Sequence, residues 1–459
     1  MSKTKLIATV RHPALSHWQS CLHRVLSRQA PQEGETRGLA ASLDHSAMQD
    51  ASAAAQEHGG SHEGVQRPSK LQRASTCAQL FARLAIARFI GHHEEVERLE
   101  SEVRFTSCDP LWYEVELEYR RALRLHEEPF YRRHSALGDF VLPSLPDETT
   151  VALIADWGTG MPDAEALLEQ IASFSPETVI HLGDIYYSGT PHEMRAHFLD
   201  LFERVFGAQG PRVFSLAGNH DRYSGGKGYR ELLDALGQPS SYFCLRNRFW
   251  QLLAMDTGYH DLNPFLLADN ITRLEDSEVE WLLDKIAHSG EGLARGQRGT
   301  VLLSHHPLFT LASIGHDAQG RPLALNPHLH ESLAPALAKV ALWFWGHEHN
   351  LHIFEPYAGL ARGRCIGAGA VPQLLNEQWH SAIPGLLPAP GESGPPTRVP
   401  GTDLGNDGLL DNHAYVILTF RGPQLTVRYY QAENRKLLPA QAQVPDPPLY
   451  EETMTAGSR

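Results

Sequence analysis

Between residues 151 and 430, short apolar runs alternate with stretches whose apolar residues recur at helical spacing. The runs at 151–155, 178–182 and 212–217 are bounded by turn formers and too short for helices, so they read as buried strands. The stretches between them, 162–174 and 192–206, carry the period of helices packed on a sheet. Further along, 242–245 and 249–255 predict a hairpin, 275–287 a helix, and 300–304 and 341–345 buried strands. A last hairpin, 413–420 with 424–430, turns at Arg421-Gly422-Pro423. Alternation of this kind predicts a layered α/β domain, assigned here to 147–435. Within it, 376–412 is crowded with Pro and Gly, and a loop that long inside a compact domain either carries function or lacks order. Residues 436–459 are expected to form a flexible tail.

Upstream the pattern changes. Residues 1–30 hold one short amphipathic helix, at 16–27, carrying Trp18, Leu22 and Leu26. Residues 31–70 are rich in Ala, Ser, Gln, Gly and His and contain no aromatic residue. Such a composition buries too little apolar surface to offset its ordering entropy and predicts a flexible linker. Residues 71–140 predict a helical module, with helices at 74–104 and 111–125 and Leu80, Leu84, Ile86, Phe89 and Ile90 on one broad face. That module either recruits a partner or packs on the α/β domain.

Bulk properties narrow the function. A chain of 459 residues has room for one large domain and an appendage. Its net charge of -14 argues against a surface that captures nucleic acid or anionic membrane by bulk attraction. No stretch approaches the roughly 18 apolar residues of a membrane span, and the apolar run at 6–10 is too short for a signal-peptide core. The five cysteines, Cys21, Cys77, Cys108, Cys244 and Cys365, are odd in number without close pairing, so they read as reduced and structural, and a cytoplasmic location is expected.

Chemistry enters through five runs that each directly follow an apolar stretch. They are Asp156-Trp157-Gly158, Gly183-Asp184-Ile185-Tyr186-Tyr187, Gly218-Asn219-His220-Asp221, His305-His306-Pro307 and Gly346-His347-Glu348-His349. Each alone occurs by chance in many chains; their order carries the signal. Placed on loops at strand ends, they supply oxygen and imidazole donors for a site with two metal ions. A bridging carboxylate holds two cations close together, and Asp184, beside Gly183, has that character. Gly158-Thr159-Gly160-Met161-Pro162-Asp163-Ala164 imitates a dinucleotide fingerprint with one residue too many. His92-His93 reads as a solvated helix face, and Trp343-Phe344-Trp345 as core.

The ordered runs resemble the calcineurin-like metallophosphoesterase superfamily and, within it, the purple acid phosphatase-like branch. Two departures from the common pattern mark that branch. Asp156-Trp157-Gly158 replaces the usual Asp-x-His, and Tyr187 stands three residues after Asp184. Ser188-Gly189 stand where protein serine/threonine phosphatases have an arginine, which argues against that class. The resemblance implies a layered β-sandwich flanked by helices, here with an N-terminal helical extension. It implies one metal on Asp156, Tyr187 and His349, a second on Asn219, His305 and His347, and Asp184 bridging. His220 would be the general acid, with Asp221 orienting its ring. Tyr186 differs from Tyr187 by one residue of register, and His306 either faces the substrate or is buried. The implied activity is hydrolysis of a small-molecule phosphate ester by a metal-bound hydroxide. The implied cofactors are two metal ions, iron with a divalent metal (iron, zinc or manganese), or a manganese or zinc pair. Two other readings stay open: a phosphodiesterase or nucleotide pyrophosphatase with the same site, and a regulatory protein recruiting a partner through its N-terminal helices.

Overall fold

Apolar residues at alternating positions of an extended chain face opposite ways, so strands buried on both sides need two layers to cover them. This chain meets that requirement with two sheets and flanking helices. A computed structural model describes residues 84, 96, 99, 103–106, 108–264, 271–293, 296–375, 381–432 and 447–457. The helix expected at 16–27, the linker expected at 31–70, most of the helix expected at 74–104, and His92-His93 lie outside these residues.

In chain order the strands are β1 (Glu148–Ile154), β2 (Thr178–His181), β3 (Arg212–Ser215), β4 (Phe243–Arg246), β5 (Trp250–Ala254), β6 (Gly299–Leu303) and β7 (Gly315–His316). They continue with β8 (Pro322–Leu323), β9 (Val340–Trp345), β10 (Leu351–Ile353), β11 (Gly363–Ile366), β12 (His413–Arg421), β13 (Gln424–Ala432) and β14 (Tyr450–Thr455). One six-stranded sheet runs β14-β13-β12-β1-β2-β3, the other β10-β11-β9-β6-β5-β4, and β7 with β8 forms a small ribbon. β1, β2 and β3 are mutually parallel, as are β5, β6, β9 and β11.

Val151, Leu153, Leu252, Val301, Leu342 and Val416 meet between the sheets. Ala152 and Ile154 of β1 face the other way, against Leu167, Leu168 and Ile171 of the helix Pro162–Ser173. Leu253, Leu302 and Trp343 likewise pack on Trp281 and Leu282 of the helix Asp276–Ala287, and on Leu329 and Leu333 of the helix Pro327–Leu333. Burying a side chain of this size contributes roughly 1.5–3 kcal/mol relative to leaving it exposed. The α/β sandwich flanked by helices is therefore the fold the sequence implied. The helix expected at 192–206 is interrupted: a π-turn at Arg195–Leu199 joins Pro191–Met194 to Asp200–Phe206.

The N-terminal part packs on the sandwich. Leu84, Leu99, Val103 and Cys108 form a cluster with Leu374 and Leu410. The helix Tyr113–Leu125 follows, and the chain then runs along β4, where Leu142 N–H donates to the Cys244 carbonyl at 2.9 Å and Cys244 N–H to that of Phe140 at 2.9 Å. The Pro/Gly-rich stretch is irregular but packed over 381–412, with Leu386, Ala389, Leu404 and Leu410 buried. No helix among the described residues is long and apolar enough to cross a membrane.

Two expectations need correction. The stretch expected as a flexible tail contains β14, the edge strand on β13. Its alternation is hidden by an inward-facing acid: Glu452 accepts from Arg364 Nε and Nη2, both at 2.8 Å, and from the Tyr429 hydroxyl at 2.7 Å. Nor are the cysteines uniformly reduced. Cys244 and Cys365 are free and buried, but Cys108 is disulfide-bonded to a partner outside the described residues. Counting cysteines says nothing of which ones the fold brings together, and the bond removes one of the grounds on which a cytoplasmic location was expected, the reduced state of the cysteines.

The Arg364–Glu452 pair joins the two sheets at this edge. Burial works to raise Glu452, but the Arg364 guanidinium and the Tyr429 hydroxyl outweigh it and hold the carboxyl below its ordinary value. A carboxyl depressed in the folded state adds stability above its unfolded value, near 4.5, and that contribution is lost as pH falls through the lower folded value. Arg364→Leu should lower the urea unfolding free energy by about 3 kcal/mol at neutral pH, because it strands a buried carboxylate. Glu452→Gln should flatten the acid limb of the stability profile; an unchanged acid limb would contradict this role.

Candidate metal centre

The parallel strands of both sheets point their C-terminal ends to one side, and the five runs sit there. Asp156 follows β1, Asp184 follows β2, Asn219 follows β3, His305 follows β6, and His347 and His349 follow β9. Close approach is possible only where side chains are missing. A Cβ on Gly183, whose φ is +105°, would stand 2.6 Å from the Gly218 nitrogen and 2.8 Å from His305 Nδ1. One on Gly346 would stand 2.5 Å from Asp156 Oδ2.

The donors fall into two sets that share one atom. In the first, the Tyr186 hydroxyl lies 3.1 Å from Asp156 Oδ1, 3.0 Å from His349 Nε2 and 3.4 Å from Asp184 Oδ2. In the second, Asn219 Oδ1 lies 3.1 Å from His305 Nε2 and 2.9 Å from His347 Nδ1, those two nitrogens are 3.2 Å apart, and His305 Nε2 is 3.3 Å from Asp184 Oδ2. Donors around a tetrahedral ion at roughly 2.1 Å stand roughly 3.4 Å from one another. Both sets therefore have the spacing of ligands to a common cation, and Asp184 Oδ2 belongs to both.

Hydrogen bonds orient these donors. His305 Nδ1 donates to the Leu182 carbonyl at 3.0 Å, which leaves the Nε2 lone pair facing the cluster. Asn219 Nδ2 donates to the Tyr223 hydroxyl at 2.6 Å, which turns Oδ1 inward. Asp184 Oδ1 accepts from His220 N–H at 2.9 Å, and Asp156 Oδ2 from His347 N–H at 2.8 Å.

Electrostatics point the same way. Asp156, Asp184 and Asp221 are buried, and among the described residues no lysine or arginine pairs with any of them. Burial, reinforced by Asp184, raises the carboxyls of Asp156 and Asp221 above their ordinary value. Burial works to lower His305, yet the Asp184 and Asp156 carboxylates raise it. Burial and the same two carboxylates push the Tyr186 phenol well up. Three buried carboxylates with one raised histidine, His305, as their basic neighbour keep an excess of negative charge, and a cation is the ordinary remedy. The residues present fit a metal pair.

The site departs from the sequence reading at two points. Tyr186, not Tyr187, joins the donor cluster; the Tyr187 hydroxyl donates to Asp109 Oδ2 at 2.6 Å, away from it. Strand alternation does not run past Gly183 and Asp184, whose φ values of +105° and +74° turn the loop. Asp221 does not touch the His220 ring. It accepts from the N–H groups of Asp184 (2.9 Å), Ile185 (3.0 Å) and Gly218 (2.7 Å), pinning two ligand loops together. Neighbours at the start of the helix His220–Tyr223 point in different directions. The His220 ring is oriented by the Tyr187 carbonyl, which accepts from Nδ1 at 2.6 Å. His306, left open above, is buried against Thr257 and 2.9 Å from Asp261 Oδ2. Tyr223 escaped notice, although it stands four residues after Asn219, the helical spacing of a contact.

Residues 149–351 match the family model for calcineurin-like phosphoesterase. No curated protein matches the chain. Among solved structures, the fold is similar to purple acid phosphatase PPD1 from seeds of yellow lupin, Lupinus luteus, at 14% identity over 68% of this chain and 55% of that one, with a TM-score of 0.42. It is also similar to Vacuolar Protein Sorting 29 from Cryptosporidium parvum, at 10% identity over 67% of this chain and 98% of that one, with a TM-score of 0.30. A Vps29 double mutant from Entamoeba histolytica gives 11%, 67% and 98%, with a TM-score of 0.28. The match to the lupin enzyme thus spans about half of that enzyme's length. By its family match, its two-sheet sandwich and the buried His/Asp cluster at the strand ends, the segment 149–351 is a calcineurin-like phosphoesterase domain.

Proposed function

We propose that this domain hydrolyses phosphate esters at a two-cation centre, held by Asp156, Tyr186 and His349 on one side and by Asn219, His305 and His347 on the other, with Asp184 between them. The observation that carries the reading is the sharing of Asp184 Oδ2 by both donor sets, 3.4 Å from the Tyr186 hydroxyl and 3.3 Å from His305 Nε2. When bound, such a pair supplies Lewis acidity and an acidified water for in-line attack at phosphorus.

The chain's own residues supply the rest. His220 is the general acid: its Nδ1 is tied to the Tyr187 carbonyl, so Nε2, 4.0 Å from Asp184 Oδ2, is the nitrogen free to protonate the departing oxygen. Its ring is boxed by Tyr186 at 4.6 Å, Tyr223 at 4.9 Å and Trp112 at 5.6 Å between centroids, which keeps water from competing for that proton. The mouth of the site lies on the side of His349, which keeps 19% of its side-chain exposure.

A phenol donor beside Asp156 supports the purple acid phosphatase-like branch and favours ferric iron on the Tyr186 side. The nitrogen-rich side suits a divalent ion such as iron, zinc or manganese. The substrate is a small phosphate ester. The negative surface field gives no help in gathering anions, so recognition is left to the local cations.

Two experiments test this reading. Asp184→Asn should lose both metals by elemental analysis and more than roughly 100-fold of turnover on p-nitrophenyl phosphate, since even outer-shell changes at metal sites act on that scale; a fully metallated, active variant would contradict the shared-carboxylate arrangement. If iron occupies the centre, the oxidised protein should show a visible phenolate-to-iron band that Tyr186→Phe abolishes and Tyr187→Phe retains. A band that responds the other way round would overturn the ligand assignment.

A further inference from the structure

The residues around Asp109 belong to no motif, yet they lie directly against the site. Asp109 is buried, with 2% exposure. Its Oδ2 accepts from Phe105 N–H at 2.7 Å and from the Tyr187 hydroxyl at 2.6 Å, and its Oδ1 accepts from Leu111 N–H at 2.9 Å. Trp112 Nε1 donates to the Thr106 carbonyl at 2.9 Å, closing a tight turn. Phe105 sits at φ +62°, a left-handed conformation that a bulky side chain adopts only when its surroundings hold it there. The Asp109 carboxylate bonded to its N–H is one such restraint.

This turn grips the Tyr187 side chain from several sides. Phe105 stacks on its ring with centroids 4.5 Å apart, Trp112 meets it edge-on at 5.0 Å, and Asp109 holds its hydroxyl. The main chain of Tyr187 in turn fixes the general acid, because its carbonyl accepts from His220 Nδ1. Trp112 also touches the His220 ring directly. A continuous path of contacts therefore runs from Asp109 through Tyr187 to His220.

Resting on the general-acid role given to His220 above, we infer that Asp109 is a positioning residue for that acid, and that the turn carrying Phe105, Asp109 and Trp112 is part of the active site rather than of a detachable recruiting module. Asp109 touches neither the donor cluster nor the reacting atoms; it acts by holding the Tyr187 carbonyl where it selects the His220 tautomer and aims Nε2.

A general acid matters most when the leaving group is a poor one. Asp109→Asn in the full-length, metal-loaded protein should lower kcat on an alkyl phosphate, glycerol 2-phosphate, by roughly tenfold more than on p-nitrophenyl phosphate, whose leaving group needs little protonation. KM and metal content should hold. Tyr187→Phe, which keeps the carbonyl and removes only the hydroxyl contact, should show the same split in smaller degree, and it serves if Asp109→Asn does not fold. A second readout needs no substrate: in ¹⁵N-labelled protein the His220 Nδ1–H resonance, assigned by its absence in His220→Gln, should shift in both variants. An equal fall on both esters, no fall on either, or an unmoved resonance would overturn the inference. Should the unaltered protein hydrolyse neither ester, the phosphoesterase reading fails, and the resonance alone decides the positioning role.

Discussion

The site depends on three buried carboxylates, Asp156, Asp184 and Asp221, that no arginine or lysine among the described residues neutralises. Each stands at the end of a strand or at the start of the short helix after β3, so the parallel ends of two sheets bring together three carboxylates that His305 balances only in part. The backbone is bent to achieve it. Asp156, Asp184 and His347 have φ values of +53°, +74° and +69°, the left-handed region that side chains adopt reluctantly. Asp221 offsets part of that strain by accepting three main-chain N–H groups from the loops after β2 and β3. A carboxylate predicted to orient a histidine thus serves as the clamp that joins the loops after β2 and β3.

The second organising feature is the continuity between the N-terminal part and the domain. Phe105, Trp112 and Val115 share one buried cluster with Met161, Tyr186, Tyr187, Tyr223 and Val371. The segment after the helix Tyr113–Leu125 is joined to the sandwich as well: the Tyr131 hydroxyl donates to buried Glu278 at 2.8 Å, and the Phe130 carbonyl accepts from Arg222, which pairs with Asp256 at 2.6 Å. Contacts of this density on both sides of one helix make the region a wall of the domain.

Much of this was legible in the sequence, and the reasons are specific. Buried strands announce themselves because both of their faces are apolar, and the runs at 151–155, 300–304 and 341–345 each became a strand within a residue or a few of the expected bounds. The convergence of Asp156, Asp184, Asn219, His305, His347 and His349 followed from their common position after such runs. What stayed hidden depends on geometry that residue order does not carry. The choice between Tyr186 and Tyr187 turns on two left-handed residues that break alternation. β14 was masked by Glu452, an acid that is apolar in placement only because Arg364 reaches it. The turn carrying Phe105, Asp109 and Trp112 has no signature, since stacking of Phe105 on Tyr187 joins positions 82 residues apart in ordinary aromatic composition.

The proposed centre stands or falls with the sharing of one Asp184 oxygen by two cations. Anomalous diffraction from crystals of the metal-loaded protein measures it directly. Two peaks are expected roughly 3.5–4 Å apart, both within bonding distance of Asp184 Oδ2, one beside Tyr186 and the other beside His305. A single peak, or a pair that leaves Asp184 uncoordinated, would contradict it.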